Sequence, residues 1–391
     1  MIEIGKLFNI EKGSLQSSKC TPGQYSFITA GEEWKTHIEY THDCEALVFA
    51  MAASGSLGRT HYVNGKFIAS DLCFILTPKK EYVSKVNLRF YSFYFNTYRE
   101  RIVKATATGT SKLAINRKSF SNYQIYLVDI EKQTQLLHKL DKMKSISDGL
   151  LQTIQQQQKY AEMLRQSILQ QEVEGKLCEQ DPNDEPASVL LEKIKAEKER
   201  LIAEKKIKKQ KPLPPISEEE KTFDLPKGWE WCRLGELVTS VTDGPHYSPE
   251  YHDKGIPFIS GRNITLKGID FSTAKFISPQ LHEELSKRCR PETGDILYTK
   301  GGETGKAVVN DIDFEFNVWV HVAVLKPSTF VYNKYLALAL NSPHCYALSQ
   351  KYTHGTGNRD LGLTRMIKIT VPLPPANEQQ RIVQRVTKLM G

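Results

Sequence analysis

The stretch Glu131–Gly175, EKQTQLLHKLDKMKSISDGLLQTIQQQQKYAEMLRQSILQQEVEG, decides how the rest of the chain is read, because its apolar residues keep a coiled-coil step. Leu136, Leu140, Met143, Ser147, Leu150, Ile154, Gln157, Ala161, Leu164 and Ile168 follow one another at alternating intervals of four and three, the a/d seam of a heptad repeat. Gln, Lys, Glu and Arg, all good helix formers, fill the positions between, and no proline intervenes before Pro182. The spacing predicts one long helix of roughly 65 to 70 Å at about 1.5 Å per residue, a spacer that needs a partner along its seam. The partner-facing residues are Leu136, Leu140, Met143, Leu150, Ile154, Leu164 and Ile168. Simple dimerisation is the plain reading of such a helix, and the flanking sequences argue for more.

Composition bounds the rest. A chain of 391 residues, 40% hydrophobic and 25% charged, has the make-up of a folded protein of two or three domains. No run approaches 18 consecutive apolar residues, and Met1-Ile2-Glu3-Ile4-Gly5-Lys6 lacks the basic head and apolar core of a signal peptide. A cytoplasmic protein with no membrane contact is expected. The seven cysteines contain no CxxC pair, which points to free thiols rather than zinc or disulfides. A net charge of +8 favours a polyanionic partner without proving one.

Along the chain, residues 1–130 read as a mixed domain. Tyr25 to Ile28, Ala46 to Ala50 and Asp71 to Leu76 look like strands, and Val86 to Ala105 has helical character. The long helix occupies 131–178. Residues 179–222 form a connector, in which Asp181-Pro182-Asn183-Asp184-Glu185-Pro186 breaks the helix. A second helix is capped near Ser188 and ends near Lys209, and Lys211-Pro212-Leu213-Pro214-Pro215 is an extended, semi-rigid linker. Glu192 to Lys211 carries nine basic and four acidic residues, which suits a solvated helix laced with ion pairs and, alternatively, contact with a DNA backbone. Residues 223–375 repeat the grammar of the first domain. Strands are expected at Ile256 to Ser260, Asp295 to Lys300, Lys306 to Asn310 and Val318 to Leu325, with a helix over Tyr332 to Gln350 interrupted at Ser342-Pro343.

The repetition can be laid out residue by residue. Ile4-Gly5-Lys6-Leu7 matches Leu234-Gly235-Glu236-Leu237, and Tyr25-Ser26-Phe27-Ile28 matches Ile256-Pro257-Phe258-Ile259. Gly55-Ser56-Leu57-Gly58-Arg59 matches Gly302-Glu303-Thr304-Gly305-Lys306, and Ala107-Thr108-Gly109-Thr110 matches Thr353-His354-Gly355-Thr356. The stretch from Tyr126 to Gln133 matches that from Pro372 to Gln379. The displacement stays near 230 to 250 positions, the mark of a tandem duplication of domain plus helix. Residues 376–391 begin the second copy of the helix, about fourteen residues of it against about 45 in the first. The fold class expected is α+β: two mixed domains in tandem, separated by a long coiled-coil-forming helix.

In this order the motifs resemble the specificity subunit of type I restriction-modification enzymes, over essentially the whole chain. The second copy carries most of the likeness: Leu225-Pro226-Lys227-Gly228-Trp229, Asp243-Gly244-Pro245-His246, Gly294-Asp295-Ile296-Leu297, His354-Gly355-Thr356-Gly357, and Val371-Pro372-Leu373-Pro374-Pro375 leading into Glu378-Gln379. The first copy lacks the Leu-Pro-x-Gly-Trp opening and the Asp-Gly-x-His loop. The resemblance implies two target-recognition domains, each reading half of a split double-stranded DNA target, with helices setting the unread spacer. It also implies docking of two methyltransferase subunits, joined by restriction/translocase subunits, and no catalysis or cofactor of its own. With so little of the second helix present, a homodimer through the central helix is a further expectation.

Motifs for catalysis are missing. Lys300-Gly301-Gly302-Glu303-Thr304-Gly305-Lys306-Ala307 has a P-loop flavour but ends in Ala where Ser or Thr would bind magnesium, so a turn between strands is expected. Leu373-Pro374-Pro375-Ala376 is not an amino-methyltransferase signature, and no His/Cys cluster has metal-ligand spacing. A fused methyltransferase or nuclease is therefore disfavoured, and a non-specific nucleic-acid binder or coiled-coil scaffold is the other alternative. Base reading calls for side chains with paired donors or acceptors on loops that approach a groove. The candidates are Arg59, His61, Lys104, Thr108, Lys112 and Arg117 in the first copy, and His246, Tyr247, Lys300, Lys306, His354, Asn358 and Arg359 in the second.

Overall fold

The structure is a computed structural model describing residues 1–53, 55–109, 113–357 and 359–390. Its chain divides into two compact units, Met1–Gln155 and Gln156–Gly391. The α+β architecture expected from the sequence is present in both.

In the first unit the elements run β1 (Ile2–Glu3), α1 (Ile4–Leu7), β2 (Phe8–Lys12), β3 (Tyr25–Ile28), β4 (Lys35–His37), β5 (His42–Ala50), β6 (Thr60–Ala69) and β7 (Cys73–Pro78). Then come α2 (Leu88–Thr97), α3 (Arg99–Thr106), β8 (Ala107–Thr108), β9 (Ala114–Ile115), α4 (Arg117–Asn122), β10 (Gln124–Ile125) and the first part of the long α5 (Ile130–Val173), whose residues from Gln156 on belong to the second unit. Six strands form one sheet in the order β2-β7-β5-β6-β3-β4, antiparallel except that β3 runs parallel to β6. One face packs on α2 and α3 through Leu47, Phe49, Phe74, Tyr91, Phe95 and Phe120, all buried. The burial of several aromatic rings at 150–250 Å² each makes this the main source of the unit's stability.

The second unit contains α6 (Ala187–Ala203), β11 (Glu230–Arg233), α7 (Leu234–Leu237), β12 (Val238–Asp243), β13 (Ile256–Ile259), β14 (Ile264–Thr265), β15 (Gly268–Ile269), β16 (Lys275–Ile277) and α8 (Pro279–Ser286). It continues with β17 (Ile296–Thr299), β18 (Ala307–Val309), β19 (Asn317–Val318), β20 (Val322–Pro327), α9 (Asn333–Leu340), α10 (Pro343–Tyr352), α11 (Leu363–Met366), β21 (Thr370–Leu373) and α12 (Ala376–Met390). Its strands follow β12-β20-β17-β18 and β16-β13-β19, with β13 parallel to β19. If β18 and β19 are taken as the two halves of a strand equivalent to β6, this is the path of the first sheet, strand for strand. The duplication legible in the sequence is thus repeated in the hydrogen-bonded topology.

Each unit is closed in the same way. β1 pairs with β10 through Ile2 and Ile125, and β11 pairs with β21 through Cys232 and Val371. The glycines of the matched Gly-x-Leu turns explain their own identity. A Cβ on Gly5 would lie 1.8 Å from Ser121 Oγ, and one on Gly235 would lie 2.9 Å from Ile367 Cβ.

Several expectations change. Val318 to Leu325 is not one strand: β19 pairs with β13, the chain turns at Trp319–His321, and β20 pairs with β12 and β17. The turn is held by Trp319 N–H donating to Ile259 O (2.8 Å) and Val322 N–H to Trp319 O (2.9 Å). The charged helix starts at Ala187, not at a Ser188 cap, because Ala187 N–H finds its acceptor in Gly228 O at 2.8 Å. It ends at Ala203 rather than near Lys209, since Lys205 takes φ 57° and Lys206 N–H turns back to Leu201 O. Nor is it a free solvated helix, for Ala187, Leu190 and Ile194 enter the core of the second unit. The proline-rich linker is extended as expected but pinned, its Pro214 and Pro215 carbonyls accepting from the Arg233 guanidinium at 3.2 and 2.9 Å.

The long helix has 44 residues, about 66 Å. From Asp141 to Leu164 every residue is exposed. Of the seam, Leu136, Met143, Leu150, Ile154 and Leu164 face solvent and Leu140 is half-buried. Ile168 departs from the expectation: at 8% exposure it belongs to the core of the second unit, in the cluster that holds Ile382, Val383 and Val386 of α12. The heptad phase continues unbroken from the free part of the helix into this core.

Candidate nucleic-acid interface

In the second unit the candidate residues converge on a buried lysine. Strand β12 delivers Asp243 and then the loop Gly244-Pro245-His246-Tyr247, pressed so closely on β19 that a Cβ on Gly244 would lie 1.8 Å from Val318 O. Asp243 is buried and accepts from Arg288 Nη2 at 2.6 Å, with His246 Nε2 at 3.3 Å and Lys300 Nζ at 3.4 Å. Lys300, the first residue after β17, is 2% exposed. Its amine also reaches Asp360 Oδ1 at 2.7 Å and donates to Val320 O at 3.1 Å. Enclosing an amine this fully is costly, and the flanking carboxylates offset that cost.

Asp360 in turn shares backbone hydrogen bonds with His354 in both directions, and Leu361 N–H donates to Lys300 O at 2.7 Å. Gly302 N–H donates to Arg359 O at 3.1 Å, and Trp319 Nε1–H to Tyr247 O at 3.2 Å. The loop after β12, the β17–β18 connection, the turn at Trp319–His321 and the segment from His354 to Asp360 are thereby bound into one cluster. His246, Tyr247, His354 and Arg359 remain exposed around it. His321 lies against Trp319 with the rings tilted and their centroids 4.6 Å apart, and burial together with the Lys300 charge pushes its pKa down, against the pull of Asp360. Its imidazole is thus biased toward the neutral form, which offers one donor and one acceptor.

The stretch with P-loop flavour is the connection between β17 and β18. Lys306 closes it, pairing with Glu303 at 2.8 Å. Gln350 of α10 donates to Thr304 O at 3.1 Å and accepts from Arg359 Nη2 at 3.4 Å, so Arg359 is tied to the same connection. Asn358 lies outside the described residues.

In the first unit the candidates are less tightly joined. Arg59 just precedes β6, His61 is its second residue, and both face the β3–β4 connection: Arg59 Nη2 is 3.8 Å from Glu32 Oε2, and His61 Nε2–H donates to Gly31 O at 2.8 Å. Burial lowers the His61 pKa, and its ring stands edge-on to the exposed Trp34 at 5.8 Å. Behind Arg59, Gly58 (φ 82°) sits against Val103 and Arg99 of α3, and Arg99 donates to Leu57 O and Gly55 O at 2.7 and 2.8 Å. Gly305 (φ 98°) meets Ser349 and Tyr346 of α10 in the equivalent way. Lys104 is exposed on α3, and Thr108 is exposed on β8. Arg117 opens α4, whose Ser121 abuts Gly5. Lys112 lies outside the described residues.

Sequence reasoning did not single out Asp243 and Asp360 as the partners of Lys300, nor Arg288, Trp319, His321, Trp34 and Arg99. Asp243 stood in a quoted motif, and no local pattern marked the others.

A profile of the type I restriction modification DNA specificity domain matches residues 1–159 and again 226–391. The EcoAI specificity subunit of Escherichia coli is 35% identical over 234 residues, covering 58% of this chain and 39% of that protein. The EcoDI specificity subunit of the same organism is 24% identical over 407 residues, covering all of this chain and 81% of that one. The chain thus spans about two-fifths of the length of the EcoAI and EcoEI subunits it matches. Among solved structures, the HsdS subunit from Thermoanaerobacter tengcongensis has a similar fold, with TM-score 0.52 at 16% identity over 99% of this chain and 88% of that chain. A chain from a structure of type I R-M complex assembly and conformational transition gives TM-score 0.60 at 16% identity, over 99% and 89%. The same profile matching both copies of one sheet topology places this chain in the type I restriction-modification DNA specificity family.

Proposed function

We propose that this chain is the non-catalytic, DNA-reading subunit of a type I restriction-modification system, recognising a bipartite double-stranded target. The observation that supports the reading is the recurrence of one strand path, as a six-stranded sheet in the first unit and as a four-stranded and a three-stranded sheet in the second, each with cationic, polar and aromatic side chains at its rim and with a 44-residue helix between them in the sequence. Two unlike readers held by a stiff helix give an asymmetric split site with a fixed gap. Arg59, His61, Lys104, Thr108, Lys112 and Arg117 would serve the first half-site. His246, Tyr247, Lys306, His354, Asn358 and Arg359 would serve the second, with Lys300 organising them from within. Modification and cleavage come from methyltransferase subunits, two per complex, and from restriction subunits.

Selection from a random duplex library tests this, using the chain with its cognate methyltransferase subunit at near-physiological salt, where the non-specific electrostatic term is reduced. Two short half-sites at one separation are expected. Unselective binding that fades as salt rises would leave a generic nucleic-acid binder instead.

The exposed apolar stripe of α5 is proposed as the docking line for a partner helix, met in the isolated chain by a second copy. Sedimentation equilibrium at micromolar concentration should show a dimer. Leu150 is 60% exposed and Ile154 42% exposed in the single chain. With only those fractions left to bury, the two side chains together contribute about 1.5–3 kcal/mol per chain and twice that per dimer, so changing both to Glu raises the dimer Kd by roughly 10²-fold or more. A wild-type monomer would reserve the stripe for the methyltransferase.

A further inference from the structure

Both units attach their helix with the same pair of buried side chains. Gln133 of α5 and Gln379 of α12 are each 0% exposed. The Gln133 Oε1 accepts from the backbone N–H of Asn87, the residue capping α2, at 2.8 Å. Gln379 Oε1 accepts from the N–H of Tyr332, the residue capping α9, at 2.9 Å. Each amide nitrogen then donates to the carbonyl five residues back, Val128 O at 2.6 Å and Pro374 O at 3.1 Å. Gln133 donates in addition to Lys85 O at 2.7 Å.

A tyrosine completes each set. Tyr91 of α2 donates its hydroxyl to Tyr126 O at 3.0 Å, and Tyr335 of α9 donates to Pro372 O at 2.8 Å. Both acceptors lie seven residues before the glutamine, in the segment that leads out of the sheet domain into the helix. Both tyrosines are fully buried. A glutamine side chain has one acceptor and two donor hydrogens, and Gln133 uses all three. The neighbouring residues are not shared between the copies: Asn87 stands where the other has Tyr332, and Val128 where it has Pro374. What repeats is the glutamine, the tyrosine and the backbone atoms they bind. A purely apolar joint would hold the helix to the domain but would let it pivot, since burial is non-directional. Hydrogen bonds from both the first turn of the helix and the segment before it fix direction as well as contact.

We infer that Gln133 with Tyr91, and Gln379 with Tyr335, are positioning residues that set the angle at which each helix leaves its reader, and through that angle the length of DNA between half-sites. This rests on the specificity-subunit reading above. No base contact is involved, so the half-sites themselves should be indifferent to these side chains.

The test uses the full chain with its cognate methyltransferase subunit and duplexes in which the selected half-sites are kept and the gap is varied one base pair at a time. Wild type should prefer one gap sharply. In Gln133→Ala, the preference over gaps one base pair longer or shorter should fall by about tenfold, with base preferences in both half-sites unchanged. Tyr91→Phe deletes a single hydroxyl without opening a cavity, and should shift the gap preference in the same direction by less. Gap preference as sharp as wild type in both variants would overturn the inference, and so would altered base preference at an unaltered gap. If wild type selects no fixed gap at all, the specificity-subunit reading fails, and hydrogen exchange then judges the attachment alone. Faster exchange at Asn87 and the first turn of α5 in Gln133→Ala is expected, and unchanged exchange would overturn it.

Discussion

Replacing Lys300 by Met should unfold the rim of the second unit and abolish recognition of its half-site while leaving the first half-site readable. The amine sits between Asp243 and Asp360, at 3.4 and 2.7 Å, and is 2% exposed. Removing it leaves the buried Asp243 carboxylate with one strong partner, Arg288, and takes from the Asp360 side chain its 2.7 Å partner. Breaking a buried pair from one side costs about 3–5 kcal/mol, because the remaining charge stays desolvated. Denaturant unfolding should show that loss in the second unit. Site selection should return a single half-site. Lys300→Met combined with Asp243→Asn and Asp360→Asn should recover much of the stability, since no charge is then stranded, but not the recognition. Full recognition by Lys300→Met would show that the cluster does not organise the reader.

Arg233→Ala is expected to have an effect of similar size for a different reason. The guanidinium makes a bidentate pair with Glu220 at 2.6 and 2.8 Å and donates to Lys368 O, Pro214 O and Pro215 O. Its side chain is 3% exposed. Losing it frees the proline-rich linker and leaves the half-buried Glu220 carboxylate and the carbonyls of Pro214, Pro215 and Lys368 without their donor, in sum about 3 kcal/mol or more. Arg233→Lys should rescue little, because an ammonium cannot reproduce the planar fork. Trp229, Trp231 and Trp319 all lie in the second unit, so tryptophan fluorescence reports this loss. The pair also carries a pH signature. Arg233 holds the Glu220 carboxyl down to about 2 from the usual 4.5. A depressed carboxylate stabilises the fold fully above its unfolded value and loses that contribution as pH falls. Wild type should therefore weaken between about pH 4.5 and 2, and Arg233→Ala should weaken less over the same window, measured by acid titration of the fluorescence.

How far the sequence spoke for itself depended on whether the signal was periodic. The helix α5 was legible because its heptad step persists over many turns, and the duplication was legible because matched motifs kept one displacement. Strand β6 was not, because Asn64 and Gly65 interrupt its apolar pattern in the middle of ten residues. Val318 to Leu325 looked continuous because a run of apolar residues does not reveal that its two halves pair with different strands. Ile168 shows the same blindness in reverse: heptad phase marks an apolar face, yet only the tertiary structure says that Ile168 is buried in this chain and Leu150 is not. At the candidate site the exposed loop residues His246, Tyr247, His354 and Arg359 could be named from residue type and glycine context. Lys300 could be named but its place could not, since its carboxylate partner Asp360 is 60 positions away. Asp243 and Asp360 do their work through neighbours that no local pattern brings together.

The closing strands have a consequence for how such a chain can change. With Ile2 opposite Ile125 and Cys232 opposite Val371, the polypeptide enters and leaves each sheet domain at adjacent positions, through a doorway two strands wide. Everything between those strands can be replaced by another sequence of the same path without moving either end. The comparison of β6 with β18 and β19 shows that freedom in use, one strand in the first copy being two separated by a loop in the second. A chain built this way can exchange one cassette and keep the other, and under the function proposed above such an exchange would bring a new half-site while the helix and the second reading remain as they were.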